Sequence, residues 1–362
     1  MMKRAVRHIP IFVACLLWAT SCSDDSPNPA PTTGNGTPVN TSWTIPQDQV
    51  FDGGPGKDGI PSVDNPNFIS VDQVDFLNDS DLIIGFREGS TVRGYPHPIL
   101  DWHEIVNDEV GSAKIAITYC PLTGTATGWN RVIDGTETTF GVSGLLYNTN
   151  LIPYDRNTDS NWSQMRLDCV QGALKGTAVD LFQVVETTWA TWKSLYPDSE
   201  VMSTNTGFSR NYRVYPYGDY RTNDNSLIFP VSNEDSRLGR KERVLGVQVG
   251  SFTKAYHIAS IGTTTSGVDI IQEDLGGEPI VVAGSASDNL AVAYKSTLNG
   301  EALTFQPGDL SMGILMTDQN GNEYDVFGYA TSGPAKGAQL GRVKSYIGFW
   351  FAWAAFFPNL AL

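Results

Sequence analysis

The chain has 362 residues with 24 basic against 39 acidic side chains, a net charge of −15. So acidic a chain repels phosphate backbones and offers no basic patch to anionic lipid, which argues against nucleic acid as a partner. Nine Trp and an aromatic content of 11% supply a substantial core, enough for one large domain or two.

The first 22 residues follow the plan of an export signal. Lys3, Arg4 and Arg7 form a basic start, and Ile9 to Trp18 is an apolar run too short to span a bilayer stably. Ala19-Thr20-Ser21-Cys22 places small residues before a cysteine, the pattern of a lipoprotein signal whose cysteine is acylated. The mature chain then carries −18. Its expected membrane partner is lipid, through Cys22, and its expected location is the cell envelope as an outer-membrane lipoprotein. Ser23-Asp24-Asp25 resembles an acidic surface-export tag, which points to the outer face. Residues 23–45 are Pro, Ser, Thr, Asn and Gly with few large apolar side chains, and read as a disordered tether.

Residues 46–80 read as an N-terminal extension with a short helix, Ser70 capping VDQVDFLN. Residues 81–198 read as a first β-rich unit, 199–242 as a connector of little regular structure, and 243–362 as a second β-rich unit. Each unit opens on a hairpin pattern, LIIGF–REGS–TVRGY and VLGVQ–VGSF–TKAYH. Further strands are expected at 114–119, 138–142, 279–283, 289–295 and 324–329. A second helix is expected over DWHEIVND, 101–108. Each unit closes on an aromatic helix before a proline, TTWATWKSLYP and GFWFAWAAFFP. The last of these is too short to cross a membrane and reads as a core helix.

At a fixed offset of 161 residues, identities recur in clusters. Gly85, Gly89, Ser90 and Tyr95 match Gly246, Gly250, Ser251 and Tyr256. Trp189, Trp192 and Pro197 match Trp350, Trp353 and Pro358. The expected fold is therefore mainly β with a few short helices, in two tandem copies of a barrel-like or sandwich-like unit.

The reactive content is uneven, and the first copy holds most of it. His103 and Asn107 would share a helix face, with Glu104 and Asp108 beside them, as a base and its orienter require. Cys120 ends a strand and can serve as a thiolate nucleophile with His103 as base, or both can ligate a metal ion. The other reading of Cys120 is a small buried hydrophobe. Cys169 is its one possible disulfide partner after export, since Cys15 leaves with the signal. Ser143, in FGVSG, lacks the second glycine of a nucleophile elbow. Alternation from 158 to 164 suggests a strand with Ser160, Trp162 and Gln164 on one face, near Asp155, lining a polar ligand pocket.

These segments carry a resemblance. GYPHPILDWHEIVND, ITYCPLTGTATGW, FGVSGLLYNTNLIPYDRNTDSNWSQ and FWFAWAAFFP together resemble the bacterial domain-of-unknown-function family 3179, over residues 60–362. The resemblance supplies neither an activity nor a cofactor, and both stay unknown. It does imply a departure: the family pattern resembles Y-C-P-L-C, and Thr123 stands here at the second cysteine, which weakens any two-cysteine redox or metal chemistry. Three functions remain open: binding of a small molecule or metal ion in the first unit, a Cys120/His103 enzyme, and a non-catalytic scaffold or adhesion module.

Overall fold

Short runs of Val, Ile, Thr and aromatic residues, punctuated by Gly, Asn and Asp, fold into mostly antiparallel strands, in eight sheets among the described residues. The computed structural model describes residues 42–262 and 267–362. The export signal, Cys22 and nearly all of the tether lie outside the described residues. The end of the expected tether is not free of the fold: Ile45 is buried against Ile152 and Val170, and Thr44 N–H donates to the Val170 carbonyl.

In the first half, β1 (Leu82–Glu88) and β2 (Thr91–Pro96) form the expected hairpin. Helix α1 (His97–His103) follows, then a meander of β3 (Ile105–Val110), β4 (Ala113–Cys120) and β5 (Thr125–Asn130). A second sheet runs β6 (Phe140–Tyr147), β7 (Asn150–Asp155), β8 (Asn161–Ser163) and β9 (Asp168–Gln171). The chain returns through β10 (Val184–Thr188), which pairs with β1, and enters α2 (Trp189–Leu195).

The second half runs in the same order. Hairpin β11 (Arg243–Val249) and β12 (Phe252–His257) leads to a meander of β13 (Asp269–Leu275), β14 (Glu278–Ser285) and β15 (Leu290–Lys295). Then come β16 (Phe305–Pro307), β17 (Met316–Asp318), β18 (Glu323–Tyr324) and β19 (Ala330–Ser332). Strand β20 (Lys344–Phe349) pairs with β11 and enters α3 (Trp350–Phe356).

The two aromatic helices are core helices, and each completes the core of the other half. Trp189 and Trp192 of α2 share a cluster with Val281, Val292, Tyr294 and Phe327 of the second half. Trp350 and Trp353 of α3 share one with Trp129, Phe140 and Trp162 of the first. Trp192 and Trp353 are both fully buried, which stabilises the fold by roughly 4–6 kcal/mol each on area alone. The close approach depends on glycine. A Cβ on Gly85 would fall 2.0 Å from the Trp192 ring, and one on Gly246 would fall 2.1 Å from Trp353.

Several expectations are corrected. Among the described residues no sheet closes into a barrel, so the barrel-like alternative is set aside. The helix expected at 101–108 begins and ends earlier, at His97 and His103, with Pro98 in its first turn; residues 105–110 are strand. The expected strand at 158–164 shrinks to β8, because residues 156–160 form a turn closed on Asp155. The expected strand at 324–329 is broken by a turn that Asp325 holds through the Phe327 and Tyr329 amides. Ser70 does form a capping box with Gln73, but over a single 3-10 turn. No helix of the described residues is long and apolar enough to cross a membrane.

Candidate functional site

Helix α1 ends because Glu104 adopts φ +58°, and the chain then runs straight into β3. That reversal puts His103 on a helix and Asn107 on a strand, so the pair does not share a helix face. The short helix instead turns His97, Asp101 and Glu104 inward, all nearly inaccessible to solvent.

These three residues are the start of a buried polar cluster. His97 Nε2 lies 2.8 Å from a Glu186 oxygen of β10, and its ring packs on Tyr119 at 4.3 Å. Burial pushes the His97 pKa well below its ordinary value, helped by the nearby Arg243 and Arg221 cations. The imidazole is therefore neutral and donates from Nε2 to Glu186. Glu186 also pairs with Arg243, at the start of β11. Burial lowers Arg243 to about 10.

Asp101 pairs with Arg221 of the connector at 2.6 Å through Oδ2. Its other oxygen, Oδ1, is buried and has no hydrogen-bond partner. Burial raises Asp101 to about 6, against the pull of Arg221. Glu104 is raised to about 8, again by burial, against a hydrogen bond from Tyr217. At neutral pH it is mostly a neutral carboxylic acid. A lone buried acceptor is expensive, on the order of 1–3 kcal/mol, and such atoms mark places where a ligand or water belongs.

A cleft of about 440 Å³ opens beside this cluster, between the N-terminal extension and the connector. Asp101, Trp102, Arg210 and Tyr217 line it, with Ile60 and Pro61 in its walls. Its size suits a small organic ligand. An acid, an arginine and aromatic rings line one opening here, which makes it the strongest candidate site among the described residues.

The residues singled out from sequence fall elsewhere or behave differently. His103 is fully buried, with Nδ1 2.7 Å from the Pro61 carbonyl and Nε2 2.6 Å from the Tyr212 hydroxyl. Both ring nitrogens are occupied, and burial lowers its pKa. Cys120 is buried beside the Thr149 carbonyl, and burial, with Glu104 nearby, raises its thiol to about 11. It is a protonated thiol at neutral pH that donates to the Thr149 carbonyl, while the His103 nitrogens face Pro61 and Tyr212. Cys169 is also free, so the two cysteines are not bridged. Among the described residues, no group of three or more His, Cys, Asp or Glu is placed to hold a metal ion.

The remaining candidates hold the fold. Asp155 accepts from Thr158 N–H at 2.7 Å and from Trp162 Nε1 at 3.1 Å. Ser160 Oγ takes the Leu174 amide. Gln164 bridges Asn150, Thr118 and the Thr125 carbonyl inside the core. Asn107 clips β3 to Phe140 through both backbone groups. Asp108 takes Arg93 and the Tyr95 hydroxyl. Ser143 steadies the bulge of β6 by donating to the Ile152 carbonyl and accepting from Leu145 N–H.

His97, Asp101, Glu186, Arg221 and Arg243 escaped the sequence reading. The one signal was charge in apolar company: Glu186 interrupts VVETT, and Asp101 interrupts PILDW. Arg221 and Arg243 gave none, because they come from the connector and the next strand.

Comparison with known proteins returns a family. A model described as "Protein of unknown function (DUF3179)" matches residues 57–360. No curated protein and no solved structure matches the chain. The chain belongs to the DUF3179 family.

Proposed function

We propose that this member of the family is an envelope lipoprotein, anchored through Cys22, that binds a small molecule in the cleft over Asp101. The sequence pattern ending at Cys22 supports the anchor. One observation carries the binding reading: Asp101 and Arg210 line one cleft together with Trp102 and Tyr217. The apolar walls and aromatic rings would supply the contact area.

The Cys120/His103 enzyme loses its support, because the thiol is held protonated and both imidazole nitrogens are occupied. The metal version loses support as well, because among the described residues no group of three or more His, Cys, Asp or Glu is placed to hold an ion. The paired order of elements in the two halves also supports descent from a duplicated unit, which we hold as part of this proposal.

Thermal-shift screening of the protein against a panel of neutral small molecules tests the site. Asn211 lines the cleft from an exposed position, so Asn211→Trp should fill it without disturbing the core. Ligands that raise the melting temperature of the wild type should fail to do so for Asn211→Trp. Hits that persist unchanged in that variant would contradict the assignment.

A further inference from the structure

We infer that the seam between the two halves holds a second binding site, for a small molecule with an anionic carboxylate or phosphate head on an apolar body. A groove of about 320 Å³ opens there, between residues 179–183 of the first half and 342–345 of the second. The two walls are counterparts. Leu181 pairs with Trp129 of β5, and Arg342 bridges Tyr294 of β15. Each wall then enters the strand before an aromatic helix, β10 on one side and β20 on the other. At the 161-residue offset, Arg342 stands where the first half has Leu181, and Lys344 where it has Gln183.

The second half thus brings two cations to a place where the first brings none. Arg342 and Lys344 alternate along the chain and share a face, while Val343 between them is buried. Among the described residues neither forms an ion pair, and the carboxylates at hand are committed. Asp180 in the lining accepts from Asn130 at 3.0 Å, and Asp168, which acts on Lys344, is held by Arg166 through both oxygens. Arg342 Nη1 donates to the Leu181 carbonyl at 3.0 Å. That bond holds the guanidinium at the groove and leaves its Nε and Nη2 edge free to grip two oxygens of one head group. Lys344 adds a point charge beside it.

The lining carries two cations to one carboxylate, in a chain with 24 basic and 39 acidic side chains. The surrounding negative field turns polyanions away, and the size of the groove suits a small molecule. Val179, Leu181 and Phe182, half-buried in its walls, offer apolar surface to the rest of the ligand. A cationic ligand would be repelled, and a neutral one would leave both cations without a partner.

Phenylacetate, phenyl phosphate, 2-phenylethanol and benzylamine share a ring and differ in the head, so calorimetric titration of the full chain with each at pH 7 tests the site. At least one anion should bind roughly tenfold tighter than the alcohol or the amine, and the tighter of the two anions identifies the head group. Arg342→Leu and Lys344→Gln give the second half the residues of the first. Each should weaken the anion about fivefold, and the two together should abolish binding while the urea midpoint stays at the wild-type value. Asn211→Trp, which fills the other cleft, should leave anion binding unchanged. Silence from both anions, or equal binding of the alcohol, would overturn the site. So would anion binding that survives the double variant or disappears in Asn211→Trp.

Discussion

The two halves of the molecule solve the same local problems with matching side chains. In the first, Asp108 takes Arg93 and the Tyr95 hydroxyl; in the second, Glu273 takes Lys254 and the Tyr256 hydroxyl. Asp155 closes a turn and receives the Trp162 indole; Asp318 closes the corresponding turn and receives the Tyr324 hydroxyl. Asn107 clips Phe140 through both backbone groups, and Gln272 holds the Phe305 amide and the Leu303 carbonyl. Polar residues with a counterpart in the other half thus serve the fold. The halves part company after the first hairpin. One continues into α1 with its buried His97, Asp101 and Glu104, while the other makes a single 3-10 turn, Ile258–Ser260. The candidate site lies where the halves differ.

That comparison can be broken at its strongest point, the exchanged tryptophans. Trp192→Ala and Trp353→Ala should each lower the unfolding free energy by about 3–5 kcal/mol, measured in urea. Near equality is expected, because each ring is fully buried against its own glycine. A small loss from one alone would undo the reciprocal packing.

The acid-and-base pairs should rank by burial. The Asp108 side chain is 6% exposed and the Glu273 side chain 28%. Asp108→Ala should cost about 3 kcal/mol, since it leaves the buried Tyr95 hydroxyl without its acceptor and takes from Arg93 one of its two carboxylates. Glu273→Ala should cost about 1 kcal/mol. Reversed magnitudes would show that the matching contacts do not do matching jobs.

The α1 cluster should give the first half its own pH dependence. Glu104 binds its proton more tightly in the folded chain, so its contribution is present below its ordinary value and is lost as pH rises through about 8. His97 acts in the opposite sense: held neutral by burial, it destabilises the fold as pH falls below its ordinary value near 6.5. Stability should therefore peak in mildly acidic solution. Glu104→Gln should flatten the alkaline limb by on the order of 2 kcal/mol, read from denaturation midpoints between pH 5 and about 9. An unchanged limb would place the titration elsewhere.

The smallest expected effect is at Cys120. A thiol held up at about 11 should label over hours at neutral pH and quickly only after unfolding. Rapid labelling of the folded chain would restore the nucleophile.

Much of the fold was legible because it is local. Two hairpins are written in Gly-Ser turns between β-branched runs, and both aromatic helices stand before a proline. The register of α1 was not legible, since DWHEIVND fits a helical period while Pro98 and the left-handed Glu104 shift the helix four residues upstream. The site was less legible still. Asp101 is flanked by apolar residues in sequence, yet its partner Arg221 is 120 residues away in a connector without regular structure. Sequence singled out polar residues clustered along the chain, and these proved to hold the fold: Asn107 and Asp108 as strand clips, Ser143 at a bulge and Asp155 at a turn.

The central claim is that Asp101 is held for a ligand. Asp101→Asn keeps the shape and removes the carboxylate, so one pair of titrations decides the matter: unfolding of the variant in urea beside its calorimetric affinity for a ligand that binds the wild type. The account predicts stability within about 1 kcal/mol of wild type, because the Asn amide oxygen can still accept from Arg221, whose side chain is 39% exposed, with affinity down at least tenfold. A variant that loses stability and keeps its affinity would contradict it.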